Sequence, residues 1–150
     1  MSETLLEIEV LSVVFGKGER AFRAVDQVSM SLNAQDVLAV VGASGSGKSV
    51  TMMALMGLLP STANISAKTL RFNGMDLQTM SKKQKRQIIG KDVSMIFQDA
   101  MTSLNPSFTV EMQITEVLKT HLGLKGASAI YRCIELLELV EIPDAKNRLK

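Results

Sequence analysis

Apolar residues in this chain fall into short runs set off by polar or glycine-bearing stretches, and the runs differ in kind. Residues 5–14 (Leu-Leu-Glu-Ile-Glu-Val-Leu-Ser-Val-Val) and roughly 22–32 have the interrupted, β-branched pattern of strands. The polar turn Gly16-Lys-Gly-Glu-Arg20 joins them. Asn33-Ala-Gln-Asp36 then leads into Asp36-Val-Leu-Ala-Val-Val41, a short apolar run expected of a strand buried on both faces. Ser49 to Leu59 is apolar all round and stops at Pro60, which predicts a buried helix. Residues 61–68 are small and polar and predict a linker or loop. Leu70-Arg-Phe72 followed by Asn73-Gly74 predicts a short strand with a hairpin turn.

In the second half, Ser81 and Gln84 fit a capping box that opens a short helix. Val93-Ser-Met-Ile-Phe97 is another candidate buried strand, ending in Gln98-Asp99. Residues 100–109, with Asn105-Pro106, predict a loop. One helix is expected over about 110–122. A second starts after Ser128, runs through Ile130, Ile134 and Leu137 at helical spacing, and ends before Pro143. Glu135, Glu138 and Glu141 form its wet side, and His121 is read as a surface residue near a helix C-terminus. No internal repeat or low-complexity segment interrupts the pattern.

Composition narrows this picture. A chain of 150 residues that is 46% hydrophobic can bury a core and is ordinarily one domain. Lys and Arg number 17 against 15 Asp and Glu, a net charge of +2 that is too balanced to suggest nucleic acid. The single cysteine, Cys133, excludes an internal disulfide and is read as a core thiol. The opening Met-Ser-Glu-Thr-Leu-Leu-Glu carries acids where a signal peptide has basic residues. No apolar run is long enough to span a bilayer, so any membrane role is expected through a partner chain. The helix 82–86 gathers Lys82, Lys83, Lys85 and Arg86, as a solvated face or as a patch for an anionic partner.

The chemistry concentrates at residues 42–49, Gly-Ala-Ser-Gly-Ser-Gly-Lys-Ser, a complete match to the phosphate-loop pattern G-x-x-x-x-G-K-[ST]. Glycines let backbone N–H groups approach the α- and β-phosphates, where a Cβ would block the path. Lys48 can reach the β- and γ-phosphates, and the Ser49 hydroxyl can ligate Mg²⁺. The flanks supply a predicted strand before the loop and a helix after it. The N-terminal N–H groups and dipole of that helix then point at the anion.

A phosphate loop alone does not choose among kinases, GTPases and transport ATPases. Gln98, at the end of the predicted strand 93–97, resembles the Q-loop glutamine of the ATP-binding-cassette (ABC) transporter ATPases. Ala24-Val-Asp-Gln-Val-Ser29 is similar to the strand that precedes the phosphate loop in that family. Phe97-Gln-Asp-Ala-Met-Thr-Ser-Leu-Asn-Pro106 resembles the tract found in its dipeptide, oligopeptide and nickel importer branch. The likeness covers essentially the whole chain.

The resemblance implies an α/β phosphate-loop NTPase core. It would have an N-terminal antiparallel β-subdomain with the phosphate loop over about 1–99, and the start of a helical subdomain over about 100–150. It further implies ATP and Mg²⁺ as cofactors. Gly42, Ala43, Ser44, Gly45, Ser46, Gly47, Lys48, Ser49, Val50 and Gln98 would bind ATP, with Phe15 stacked on adenine and Phe22 as the weaker candidate. Ser49 and Gln98 would hold the metal. Partners would be transmembrane permease subunits and a second ATP-binding subunit, at the cytoplasmic face of the inner membrane. Ala43 stands where the branch commonly carries Glu, and Ala100 where it carries Pro. The family's Leu-Ser-Gly-Gly-Gln-type signature, Asp-Glu pair and switch histidine do not occur in these 150 residues, so the chain is expected not to turn ATP over alone. Two other readings remain at this point: a small kinase or GTPase with Asp99 on Mg²⁺, and a truncated, non-catalytic interaction module.

Overall fold

The computed structural model describes residues 4–98 and 103–150. The first strand, β1 (Thr4–Phe15), and β2 (Phe22–Asn33) form an antiparallel pair joined by the turn at 16–21, where Gly18–Arg20 makes one 3-10 turn. β1 is the centre of the sheet. β2 takes one edge, while β3 (Ala63–Ser66) and β4 (Thr69–Phe72) share the other, pairing with Ser12–Phe15 and Leu6–Glu9 respectively. β5 (Met75–Asp76) closes a hairpin with β4. Its two-residue turn is Asn73-Gly74, both at positive φ (47° and 73°), as a type I′ turn requires. The segment 61–68, read as a loop, therefore holds the strand β3. Its four residues, Ala-Asn-Ile-Ser, are too few to show a strand pattern, and the pairing depends on the neighbouring β1.

β1 changes its inward face part-way. Leu6 and Ile8 are buried, then Leu11 and Val13, so the phase shifts by one residue. The shift is a bulge at Val10, whose φ of 54° is unusual for a β-branched residue. A one-residue slip would otherwise turn Leu11 and Val13 to the solvent side. β2 carries the answering bulge at Gln27, also at positive φ (50°). Each displaced amide finds a serine hydroxyl on the opposite strand. Val10 N–H donates to Ser29 Oγ at 2.9 Å, and Gln27 N–H donates to Ser12 Oγ at 3.0 Å.

The helix α1 (Lys48–Leu55) follows the phosphate loop and packs on β1 and β2, burying Thr51 and Ala54. It is shorter than the expected span to Leu59, because the chain reverses at Gly57 (φ 65°) and Leu58 lies exposed. Two expected strands do not form. Residues 36–41 lie outside any strand, with Val37 and Val41 97% and 92% exposed. Residues 94–97 are likewise irregular, with Ile96 97% exposed. A parallel strand needs a parallel neighbour on its edge. Among the described residues the parallel pairing is a single bridge, Ile89 to Val93.

The short helix α2 (Lys82–Ile88) opens on the expected capping box. Gln84 N–H donates to Ser81 Oγ, and Ser81 N–H donates to Gln84 Oε1 at 2.9 Å. The chain divides between Arg86 and Gln87 into two compact units. The second holds α3 (Val110–Leu122), capped by Thr109, and α4 (Ala127–Leu139). Leu118, Ala129, Cys133, Leu137, Ala145 and Leu149 form its core. Cys133 is fully buried, as expected, and burial pushes its thiol up, with the nearby Glu111 charge adding to the shift. Glu135, Glu138 and Glu141 are exposed. His121 is only half exposed, its ring lying against the backbone of Gly90.

Candidate functional site

The phosphate loop is built on the first unit's sheet. Gly47, the residue before α1, has φ 89° and lies so close to β2 that a Cβ there would sit 2.5 Å from the Ala24 carbonyl oxygen. Both facts demand glycine. At the other end of the loop, a Cβ on Gly42 would come within 2.8 Å of Ser46 Oγ. The loop is thus a tight cradle with bare backbone where an anion would approach.

No side chain caps α1, and its first turn contains no acid. The amides of that turn have no intrahelical partner and, with the dipole, favour negative charge. Lys48 reinforces this. Its Nζ bends back over the loop and donates to the carbonyl oxygens of Gly42 (2.7 Å) and Ala43 (2.8 Å) and to Ser46 Oγ (3.2 Å). The ammonium is thus parked on loop oxygens next to the uncapped start of α1, where a phosphate chain would be met by both the cation and the first-turn amides. Ala43, Ser44, Gly45 and Ser46 complete the turn; Ser49 is exposed and Val50 half-buried on the first turn of α1.

Sequence reasoning missed Thr51. Its side chain is 3% exposed, and its hydroxyl donates to the Gly47 carbonyl at 3.0 Å. This bond, alongside Thr51 N–H to the same oxygen at 2.9 Å, fixes the loop's exit. The available signal was a second hydroxyl, after Ser49, in a helix that is otherwise apolar from Val50 onward.

Phe15 closes β1 and lies directly across from Phe22 in the register. Phe15 is half-buried and Phe22 is 65% exposed. Phe22 stands two residues before Ala24, the seat of Gly47, or about 7 Å along the strand. The aromatic pair and the loop therefore share one end of the β1–β2 hairpin. Gln98 belongs to the second unit and is exposed. Asp99 and Ala100 lie outside the described residues. Among the described residues, no group of His, Cys, Asp and Glu could by itself hold a metal ion. The Ser49 hydroxyl is exposed on the first turn of α1, a hard oxygen of the kind Mg²⁺ takes as a ligand.

Comparison with known proteins decides among phosphate-loop classes. Residues 25–150 match the ABC transporter family. The chain belongs to that family. It is 50% identical over 145 residues to the dipeptide transport ATP-binding protein DppD of Haemophilus influenzae, covering 97% of this chain and 44% of that protein. The Escherichia coli DppD is 48% identical over the same coverage. The oligopeptide transport ATP-binding protein OppD of Salmonella typhimurium is 38% identical over 149 residues, 99% of this chain and 44% of the relative. This ABC chain thus spans less than half the length of the relatives it matches. Its antiparallel sheet and helices fit the α/β N-terminal subdomain of the family's ATPase, and a self-contained kinase or GTPase is not favoured.

Proposed function

We propose that this chain is the phosphate-loop part of an ATP-binding subunit that drives import of peptides or nickel. The observation that carries the reading is the loop at 42–49, with Lys48 Nζ held by three loop oxygens beside an uncapped helix start. The identity with the two DppD proteins and OppD supports peptides as the solute.

In this reading the backbone of Gly42–Ser49 binds the phosphate chain of ATP, with Val50 behind it, and Lys48 offsets its charge. Phe15 stacks on the adenine at the hairpin's end, with Phe22 across from it. Ser49 and Gln98 hold Mg²⁺, which when bound neutralises charge building on the phosphates. Gln98 also orients water, and the segment after it contacts the permease. The partners are transmembrane permease subunits and a second ATP-binding subunit, and the assembly lies peripherally on the cytoplasmic face of the inner membrane. Among the described residues no helix is long and apolar enough to cross a membrane.

The 150-residue chain is expected to bind Mg·ATP weakly and not to turn it over, since it holds no Leu-Ser-Gly-Gly-Gln-type tract. Titration with a fluorescent ATP analogue tests the site. Lys48→Ala should weaken binding at least about tenfold, the scale of one charge-assisted contact. Equal binding by the variant would overturn the assignment, and ATP hydrolysis abolished by Lys48→Ala would overturn the claim of incompetence.

A further inference from the structure

The charge pattern of α2 works against the helix at its start, whereas Lys85 and Arg86 in the last turn suit the dipole. Lys82 and Lys83 stand in its first turn, which holds no acid, so both face the positive end of the helix dipole. Lys82 lies three and four residues from Lys85 and Arg86, and Lys83 three from Arg86, all like-charge neighbours on a helix surface. At about 100° per residue the four cations span an arc of about 160°. Ile88, the buried residue of this helix, points away from that arc. Among the described residues none of the four makes an ion pair or a side-chain hydrogen bond. The whole chain carries only +2, so outside these four cations its charge is net negative. This face concentrates a single sign on a helix whose start is fixed by the Ser81–Gln84 capping box.

We propose that α2 docks on the anionic headgroups of a lipid bilayer, its ammonium and guanidinium groups donating to headgroup phosphates. Four basic residues on one short helical face are enough to bind a negative leaflet, and each contributes about five-fold to partitioning. The choice of lipid as the anion rests on the transporter reading above, which places the chain beside a membrane. The patch itself is independent of the phosphate loop.

Flotation of the 150-residue chain with vesicles tests this. The chain should float with phosphatidylcholine vesicles containing phosphatidylglycerol and stay behind with pure phosphatidylcholine, and added salt should release it. Substituting Lys82, Lys83, Lys85 and Arg86 together by Gln should lower partitioning at least about 30-fold. Lys82→Glu alone should lower it about tenfold or more while favouring the helix, because an acid now sits at its N-terminus. A loss in that variant therefore does not arise from unfolding. Equal flotation of wild type and variants, equal binding to neutral vesicles through exposed residues such as Val37, or tighter binding to an RNA oligomer at the same salt would each overturn the proposal. Binding of the ATP analogue is read on the same samples. If it fails while charge-dependent flotation persists, the transporter reading falls and the patch stands; the converse overturns the patch alone.

Discussion

The sheet of the first unit and the apolar segment at 36–41 are made of much the same residues, yet they end in opposite states. Leu11 and Val13 on β1 are completely buried, whereas Val37 and Val41 are almost fully exposed. The difference lies in where each finds partners. β1 pairs with β2 across a short turn, so that Phe15 already meets Phe22, and with β4 through ordinary antiparallel registers. Residues 36–41 have the near-continuous apolar run of a parallel strand, which needs neighbours delivered by long crossovers. Apolar composition says that a strand wants cover; topology decides whether it gets any.

The largest effects should fall on the covered side. Leu11→Ala removes a fully buried side chain from the centre of the sheet and should cost about 2–5 kcal/mol in urea unfolding. Val37→Ala in the same chain should change stability by no more than about 0.5 kcal/mol. A large loss at Val37 would show that 36–41 packs after all and would break the comparison.

The same contrast explains what could be read from sequence. The β1–β2 hairpin, the Asn73-Gly74 turn, the Ser81 capping box and the two long helices are set by neighbours a few residues away, so their patterns announced them. The strands at 36–41 and 93–97 were expected because apolar runs fit a parallel sheet, and periodicity carries no information about whether a neighbour is present. β3 was missed for the opposite reason: Ala63-Asn-Ile-Ser66 is too short and mixed to show a strand pattern, and pairs because β1 offers an edge. Within the site, the loop residues were legible from spacing alone. Thr51 and the seat at Ala24 were not, because a close approach between distant backbone segments leaves no periodic trace.

Gly47→Ala probes the join between the two regions, since the loop follows 36–41 but is seated on β2. The new Cβ would meet the Ala24 carbonyl in a left-handed backbone conformation. It should cost about 1–3 kcal/mol in unfolding and abolish detectable ATP-analogue binding. Retained binding would mean that the loop is held by something other than its contact with β2.

Smaller effects should follow from the two serines that serve the bulges. Ser29→Ala and Ser12→Ala each strip the acceptor from an amide that the shifted register has displaced, at Val10 and Gln27. Each should cost about 1 kcal/mol. Because the bulges are what keep both halves of β1 facing the core, their combined loss should exceed the sum of the single effects. Strict additivity, read from the double variant in urea, would mean that the two bulges are independent and that the register is set elsewhere.

The smallest effect concerns the pairing of β1 with β4, the long-range contact that 36–41 lacks. Glu9 Oε2 accepts a hydrogen bond from Thr69 Oγ1 at 2.9 Å and lies 3.0 Å from Lys68 Nζ. The hydrogen bond from Lys68 first, then that from Thr69, holds the Glu9 carboxyl below its ordinary value. A carboxyl depressed on folding adds stability above its unfolded pKa, and this is lost as pH falls through the folded value. Glu9→Gln should therefore flatten the loss of stability on the acid side while changing little at neutral pH. The pair is exposed, so salt should shrink even this difference. An unchanged acid limb in Glu9→Gln would mean that the β1–β4 register depends on the backbone ladder and on Leu6, Ile8, Leu70 and Phe72 beneath it, with the surface charge a bystander.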